Sequence, residues 1–190
     1  MKLEEFPFVI EPFEHQLRHL QERINDKSWG LLWEQGTAKT KPVIETAAFQ
    51  FSNGTIDGLL VVAPPGVERN WNTDEIPKHL PAEFALDTMI GVFSTARKHT
   101  QNHIRMMNAL LRFNGLAVLL ISYNAFMTSE GKDLVWKFLK KRKTLMVLDE
   151  AHNINSPNAK RTKSIIAAGK YPEMKRILTG TPIAVGPFDL

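Results

Sequence analysis

Five times along this chain, an apolar run of strand length empties directly into small, polar or acidic residues. "GLLW" leads into EQGTAKT, "LLVVA" into PPG, "LAVLLI" into SYN, "LMVL" into DEAH and "RIL" into TGTP. Several of these runs are apolar throughout rather than alternating, the pattern of strands covered by helices on both faces. Longer amphipathic stretches between them complete a βα rhythm around a mainly parallel sheet. The pattern predicts strands at Gly30–Trp33, Gly58–Ala63, Leu86–Val92, Leu116–Ile121, Leu145–Leu148 and Arg176–Leu178. Helices are expected at Phe13–Arg23, Lys39–Phe51, Val67–His79, Arg97–Phe113, Asp133–Arg142 and Ala159–Ala168. If the strands are parallel, all five polar clusters lie along one edge. Open α/β sheets bind their ligands beyond the carboxyl ends of the strands, so the clusters form a single site.

The bulk numbers agree and exclude several classes. A chain of 190 residues, 43% hydrophobic and 23% charged, has enough apolar material for one real core and favours one domain. There is no cysteine, which removes a disulfide framework and a thiolate zinc site, and fits a reducing interior such as cytoplasm. No apolar run approaches the ~20 residues that span a bilayer. The first residues, "MKLEEFPFVIEPFEHQ", are acidic and broken by proline, unlike a signal peptide. A net charge of +4 is compatible with a polyanionic partner. The basic clusters "KFLKKRK" and "KRTK" read, on charge alone, as solvated helix ends.

The stretch "WEQGTAKT" ends like a phosphate-binding loop, G-x-x-x-x-G-K-[ST], with Trp33 at the first glycine position and Ala38 at the second. A strand, a small-residue turn and a helix start aim unpaired backbone N–H groups at an anion. Gly36 permits close backbone approach and, with Thr37 and Ala38, forms the turn. Lys39 is placed to reach the β- and γ-phosphates, and Thr40 to hold Mg²⁺ through its hydroxyl. If Ala38 needs a positive φ, its methyl costs ~1–2 kcal/mol. By itself the octapeptide reads as well as a chance helix cap.

Asp149-Glu150-Ala151-His152 follows another buried-type strand. Two adjacent carboxylates at a strand end suit a Mg²⁺–nucleotide site. Asp149 would bind the ion, usually through water, and Glu150 would orient and deprotonate an attacking water. His152 would contact neighbouring segments. The other reading is a solvated acidic turn, and it is the conjunction with Lys39 that favours chemistry.

With these residues in view, the sequence resembles the first RecA-like domain of superfamily-two helicases, and among them the Swi/Snf-type DNA translocases. "PFEHQLRHL" is similar to the glutamine motif, "EQGTAKT" to the phosphate loop, and "LLVVAPPGVERNW" to motif Ia with its Asn70-Trp71. "LLISYNAF" resembles motif Ib, "VLDEAHNINSPNAKRTK" motif II, and "RILTGTPI" motif III. The resemblance implies an α/β RecA-like fold and an ATP- and Mg²⁺-dependent motor on nucleic acid, most simply a double-stranded DNA translocase. It implies that Gln16 reads adenine, and that Thr179, Gly180 and Thr181 link nucleotide state to nucleic-acid grip. Phosphate-backbone contacts would come from the Gly66 amide, Arg69, Asn70, Ser122 and Tyr123, a sequence-independent mode. Lys160, Arg161 and Lys163 are candidate phosphate neighbours. A second RecA-like lobe carrying an arginine finger is expected elsewhere in a longer protein, so these 190 residues alone should hydrolyse ATP poorly. The expected compartment is the cytoplasm of a bacterial or phage-infected cell, or the nucleus of a eukaryote. Two alternatives stay open: a strand-separating DNA or RNA helicase lobe, and a non-hydrolysing module with a degraded loop.

His99 and His103 have a spacing that could bind a metal on a helix, but no third ligand accompanies them, and an exposed basic helix is expected. Trp29, Trp33, Trp71 and Trp136 are expected to be packing residues.

Overall fold

The computed structural model describes residues 1–154 and 156–180. Six strands, β1 (Ser28–Leu31), β2 (Gly58–Ala63), β3 (Thr88–Val92), β4 (Leu116–Ser122), β5 (Thr144–Asp149) and β6 (Met174–Leu178), form one sheet in the order β1-β6-β5-β2-β4-β3. Every pairing is parallel. The expected α/β class is therefore observed, and each strand's carboxyl end lies on the same edge.

The longer helices are α1 (Glu14–Arg23), α2 (Thr40–Ser52), α3 (residues 67–79), α4 (Gln101–Arg112), α5 (Ser129–Lys141) and α6 (Lys160–Ala168). Within α3, Val67–Asn70 and Ile76–His79 are α-helical and Trp71–Glu75 is a π turn. On one face of the sheet, Met107 and Leu110 of α4, Val135 and Phe138 of α5, and Ile165 of α6 pack on β2, β4 and β5. On the other face, Val43, Ile44 and Ala47 of α2 and Trp71 and Ile76 of α3 do the same. The central strands β2 and β4 are buried along their whole length, which explains why their sequences do not alternate.

Helix α2 is enclosed rather than amphipathic. Its outer side is covered by Phe6, Leu20, Ile24 and Phe84, so residues 41–50 are all buried. Two polar members survive this burial as a pair, with Lys41 Nζ donating to Glu45 Oε1 at 2.6 Å. Burial pushes the Glu45 carboxyl up to about 7 despite that bond.

Several boundaries differ from the sequence expectation: α5 starts at Ser129 and not Asp133, β6 starts at Met174 and not Arg176, and three others have a visible cause. Strand β1 sits two residues earlier, at Ser28–Leu31, because its register is set by β6 and not by its own apolar letters. Leu86, expected in β3, is 94% exposed and precedes the strand. Helix α4 begins at Gln101, not Arg97, because Thr100 caps it by accepting a hydrogen bond from the His103 amide. That cap leaves His99 in the preceding turn, and His103 is buried, with Nε2 accepting from the Ser94 amide at 3.4 Å. The two histidines therefore do not share an exposed helical face.

Candidate functional site

Strands β1, β6 and β5 are neighbours, so the segments following them meet. The loop after β1 contains two positive backbone angles, Gly36 at φ +79° and Ala38 at φ +51°. Ala38 thus occupies the left-handed region that the sequence reading flagged, at ~1–2 kcal/mol of strain. Lys39 closes the loop by donating to the Trp33 carbonyl at 3.1 Å and the Glu34 carbonyl at 2.8 Å. Thr37 Oγ1 also donates to the Glu34 carbonyl, at 2.7 Å. Thr40 is the first residue of α2, and Pro42 stands in that helix's first turn, where a missing N–H costs nothing. The lysine and threonine side chains of the loop thus bond back to its own first carbonyls.

Helix α1 supports the loop from outside. Gln16 is fully buried, its amide donating to the Ala38 carbonyl at 3.1 Å and the Thr37 carbonyl at 3.3 Å. Its Oε1 accepts from the Phe13 amide at 3.0 Å. The carboxamide thus braces the loop backbone. His15 and His19 stand edge-on to Trp33, at 5.0 and 5.4 Å between ring centres. Burial first, and then Arg176 and Arg23, lower the pKa of His19 to about 4.

The turn after β5 has a different construction. Asp149 Oδ2 accepts from the Trp71 indole at 2.9 Å, and the Asp149 carbonyl accepts from the Tyr123 hydroxyl at 2.9 Å. Burial raises the Asp149 carboxyl above its usual range and Glu150 adds to it, while the Trp71 bond and the nearby Lys39 oppose the rise. Lys39 and Asp149 therefore share one electrostatic environment. Glu150 adopts φ +49°, and its Oε2 lies 3.3 Å from His152 Nδ1. Asn153 donates from both its amide and its side chain to the Glu150 carbonyl, which fixes this strained residue.

The segment after β6 joins the two. The Thr179 amide donates to Leu31 O at 3.3 Å, and Thr179 Oγ1 lies 3.4 Å from His152 Nδ1. Gly180 packs on Gln35 of the loop so closely that an added Cβ would stand 2.6 Å from Gln35 Cγ. Thr181, the third residue of the expected coupling set, lies outside the described residues.

Farther along the same edge, the ends of β2, β3 and β4 enclose a groove of about 630 Å³. It is lined by Gly66, Arg69, Ser94, Arg97, Ser122 and Asn124, among others. Of the residues expected to touch a phosphate backbone, Gly66, Arg69 and Ser122 border it directly. The Gly66 amide, however, donates to Glu68 Oε2 at 2.6 Å, an internal carboxylate the sequence reading passed over. Asn70 is exposed on α3. Ser122 is mostly buried and caps the helical turn Tyr123–Phe126 by accepting from the Ala125 amide. Tyr123 turns inward, so its phenol faces Asp149 and not the groove. Arg161 is tied to Asn124 Oδ1 at 2.8 Å, bringing α6 to the groove's rim, and Lys160 and Lys163 are exposed on α6.

The donor set suits a magnesium nucleotide. Loop amides and Lys39 complement phosphate, and the Thr40 hydroxyl and Asp149 are hard oxygen ligands. Among the described residues, no three His, Asp or Glu side chains are placed to hold an ion unaided. An ion between Thr40 and Asp149 would take phosphate and water oxygens as its remaining ligands, as Mg²⁺ does.

Comparison with known proteins identifies similar sequences and a similar fold. Residues 14–190 match the SNF2-related domain. The chain is 26% identical over 184 residues to the Arabidopsis thaliana putative SWI/SNF-related matrix-associated actin-dependent regulator of chromatin subfamily A member 3-like 1. It is 31% identical over 126 residues to protein CHROMATIN REMODELING 19 of the same plant. These matches cover 95% and 65% of this chain but only 18% and 16% of those relatives. The fold matches the Sulfolobus solfataricus SWI2/SNF2 ATPase core, solved in complex with dsDNA, at a TM-score of 0.70 and 21% identity. That match covers the whole of this chain and 36% of the other. It also matches the UvsW helicase of bacteriophage T4 at 0.62 and 15% identity, covering 90% and 53%. By the extent of the domain match and the motifs assembled at this edge, the chain belongs to the SNF2-related domain family.

Proposed function

We propose that this chain is the ATP-binding, first RecA-like lobe of a nucleic-acid-dependent motor, and that its polymer is double-stranded DNA. The observation that supports the reading is the placement of Lys39 beyond β1 and of Asp149 and Glu150 beyond β5, on either side of β6 and within electrostatic reach, beside a groove bordered by arginines.

Each residue then has a task. On nucleotide binding, Lys39 exchanges the Trp33 and Glu34 carbonyls for phosphate oxygens, and the loop amides take the rest. Thr40 and Asp149 hold Mg²⁺, which supplies neutralisation of phosphate charge when bound. Glu150 accepts a proton from the attacking water as the bond from the γ-phosphorus to its bridging oxygen breaks. Gln16 keeps the loop in shape from behind, and adenine recognition by its carboxamide requires that brace to loosen. The Thr179–His152 contact ties the segment after β6 to the carboxylates. Arg69 and Arg97 hold phosphates of the duplex without reading bases. A second RecA-like lobe completes the site, in keeping with relatives several times longer than this chain.

The test is titration with ATP–Mg²⁺ using Lys39→Ala as the control. A loss of affinity supports the assignment, and unchanged affinity removes Lys39 from the site. Duplex binding should be indifferent to sequence and weaken steeply with salt. A sequence-specific, salt-insensitive complex would refute the backbone mode.

A further inference from the structure

Asp149 is held by two side chains that come from the two segments facing the groove. Trp71 directly follows Asn70 on α3, the helix that begins beside Gly66 and carries Arg69. Tyr123 directly follows Ser122 at the end of β4. Neither side chain reaches solvent, each being 1% exposed, and their polar atoms end on the same residue. The indole N–H meets the Asp149 carboxylate, and the phenol O–H meets its carbonyl.

We propose that Trp71 is a positioning residue that couples the nucleic-acid groove to the Mg²⁺–nucleotide carboxylate. The proposal rests on the functional reading above. An indole nitrogen can only donate, so its bond to Oδ2 fixes which way the carboxylate turns. The ring is packed in the core with Ile76 and Val147, so it moves only with its helix. The backbone changes from α to π pitch at Trp71, and such turns recur at functional sites. A shift of the first turn of α3 on a phosphate backbone is therefore delivered to Asp149 by one rigid ring. Tyr123 holds the main chain beneath, so the carboxylate turns against a fixed carbonyl. By linkage, the metal nucleotide must act back on duplex affinity by the same factor.

The test uses this chain, Trp71→Phe and Tyr123→Phe, a non-hydrolysable ATP analogue with Mg²⁺, and a random-sequence DNA duplex. Nucleotide affinity is measured with and without saturating duplex, and thermal midpoints establish that each variant is folded. In the wild type, duplex should change nucleotide affinity at least about fivefold, the lower range of allosteric coupling. In Trp71→Phe, which keeps an aromatic ring but loses the N–H, that factor should fall to within about twofold of unity. Each ligand alone should still bind. Tyr123→Phe, which leaves the carboxylate's own bond in place, should lose less. Retained coupling in Trp71→Phe overturns the proposal, as does a wild type that binds both ligands independently, or a greater loss in Tyr123→Phe. A wild type that binds neither ligand refutes the functional reading itself.

Discussion

The phosphate loop and the carboxylate turn face each other across one edge, but they are made in opposite ways. The loop's own side chains bond locally: Lys39 and Thr37 reach carbonyls three to six positions away, strain is taken at Gly36 and Ala38, and Gln16 braces the backbone from behind. The turn is held from a distance, by Trp71 and Tyr123, 78 and 26 positions before Asp149, and by Thr179, 27 after His152. A loop of the first kind can rearrange around a ligand at little expense to the core. A turn of the second kind transmits whatever happens to the helices that hold it.

Four measurements would break or sharpen this contrast. The largest effect is expected at the turn. In a protein that includes the second lobe, Glu150→Gln should reduce hydrolysis by about 10²-fold or more, the usual contribution of a general base. Nucleotide affinity should stay within about twofold. An equal loss of affinity would mean that Glu150 shapes the pocket instead of accepting the proton.

At the loop, Lys39→Ala should weaken ATP–Mg²⁺ binding by about tenfold or more, as expected for a charge-assisted hydrogen bond worth about 1.5–3 kcal/mol. The thermal midpoint should scarcely move, because Lys39 bonds only to the loop itself. A large fall in that midpoint would show that the loop is part of the core.

Acid should act through the brace behind the loop. His19 has a folded pKa of about 4 against an ordinary 6.5, so between those values the unfolded chain binds more protons. Stability from this group is therefore complete above pH 6.5 and is lost as pH falls towards 4, by about 1.4 kcal/mol per unit at most. Denaturant titrations of the wild type and His19→Gln should differ in slope across that window, and parallel curves would refute the assignment.

The smallest effect concerns backbone strain. Gly36→Ala adds a methyl that meets nothing within 4 Å, so its cost of ~1–2 kcal/mol should come from φ alone. By contrast, a Cβ at Gly131 would collide with the backbone carbonyl of Ala125, which no side-chain movement relieves. Chemical denaturation of the two alanine variants should rank them in that order.

Much of this site was legible in the letters because its parts are short and local. A phosphate loop, an acidic pair after a strand and a Thr-Gly-Thr turn each occupy a few consecutive residues. The parallel sheet then had to bring them together. Even the strained position was visible, since Ala38 stands where the motif has glycine. The residues that escaped notice work through distant partners. Trp71 was read as packing, which its burial agrees with, yet its indole also serves Asp149. Glu68 is the local exception: no motif marks it, yet it satisfies the Gly66 amide two positions before it.

Arg142 makes the same point at the opposite edge. It belongs to a run read as a solvated basic helix end, yet its guanidinium donates to the carbonyls of Asp57, Leu110, Phe113 and Gly115. Nothing in "KKRK" distinguishes the arginine that turns inward from the lysines that stay in water.

By itself, then, the sequence determined the βα order, the parallel sheet and which polar residues stand at each strand end, because hydrophobic period and motif spacing are properties of neighbouring residues. Tertiary structure alone decided which side chains grip Asp149, that Tyr123 faces inward, and where β1 begins. Those outcomes depend on register and on the packing of helices far apart in the chain, where hydrogen-bond geometry, not residue type, selects the partner.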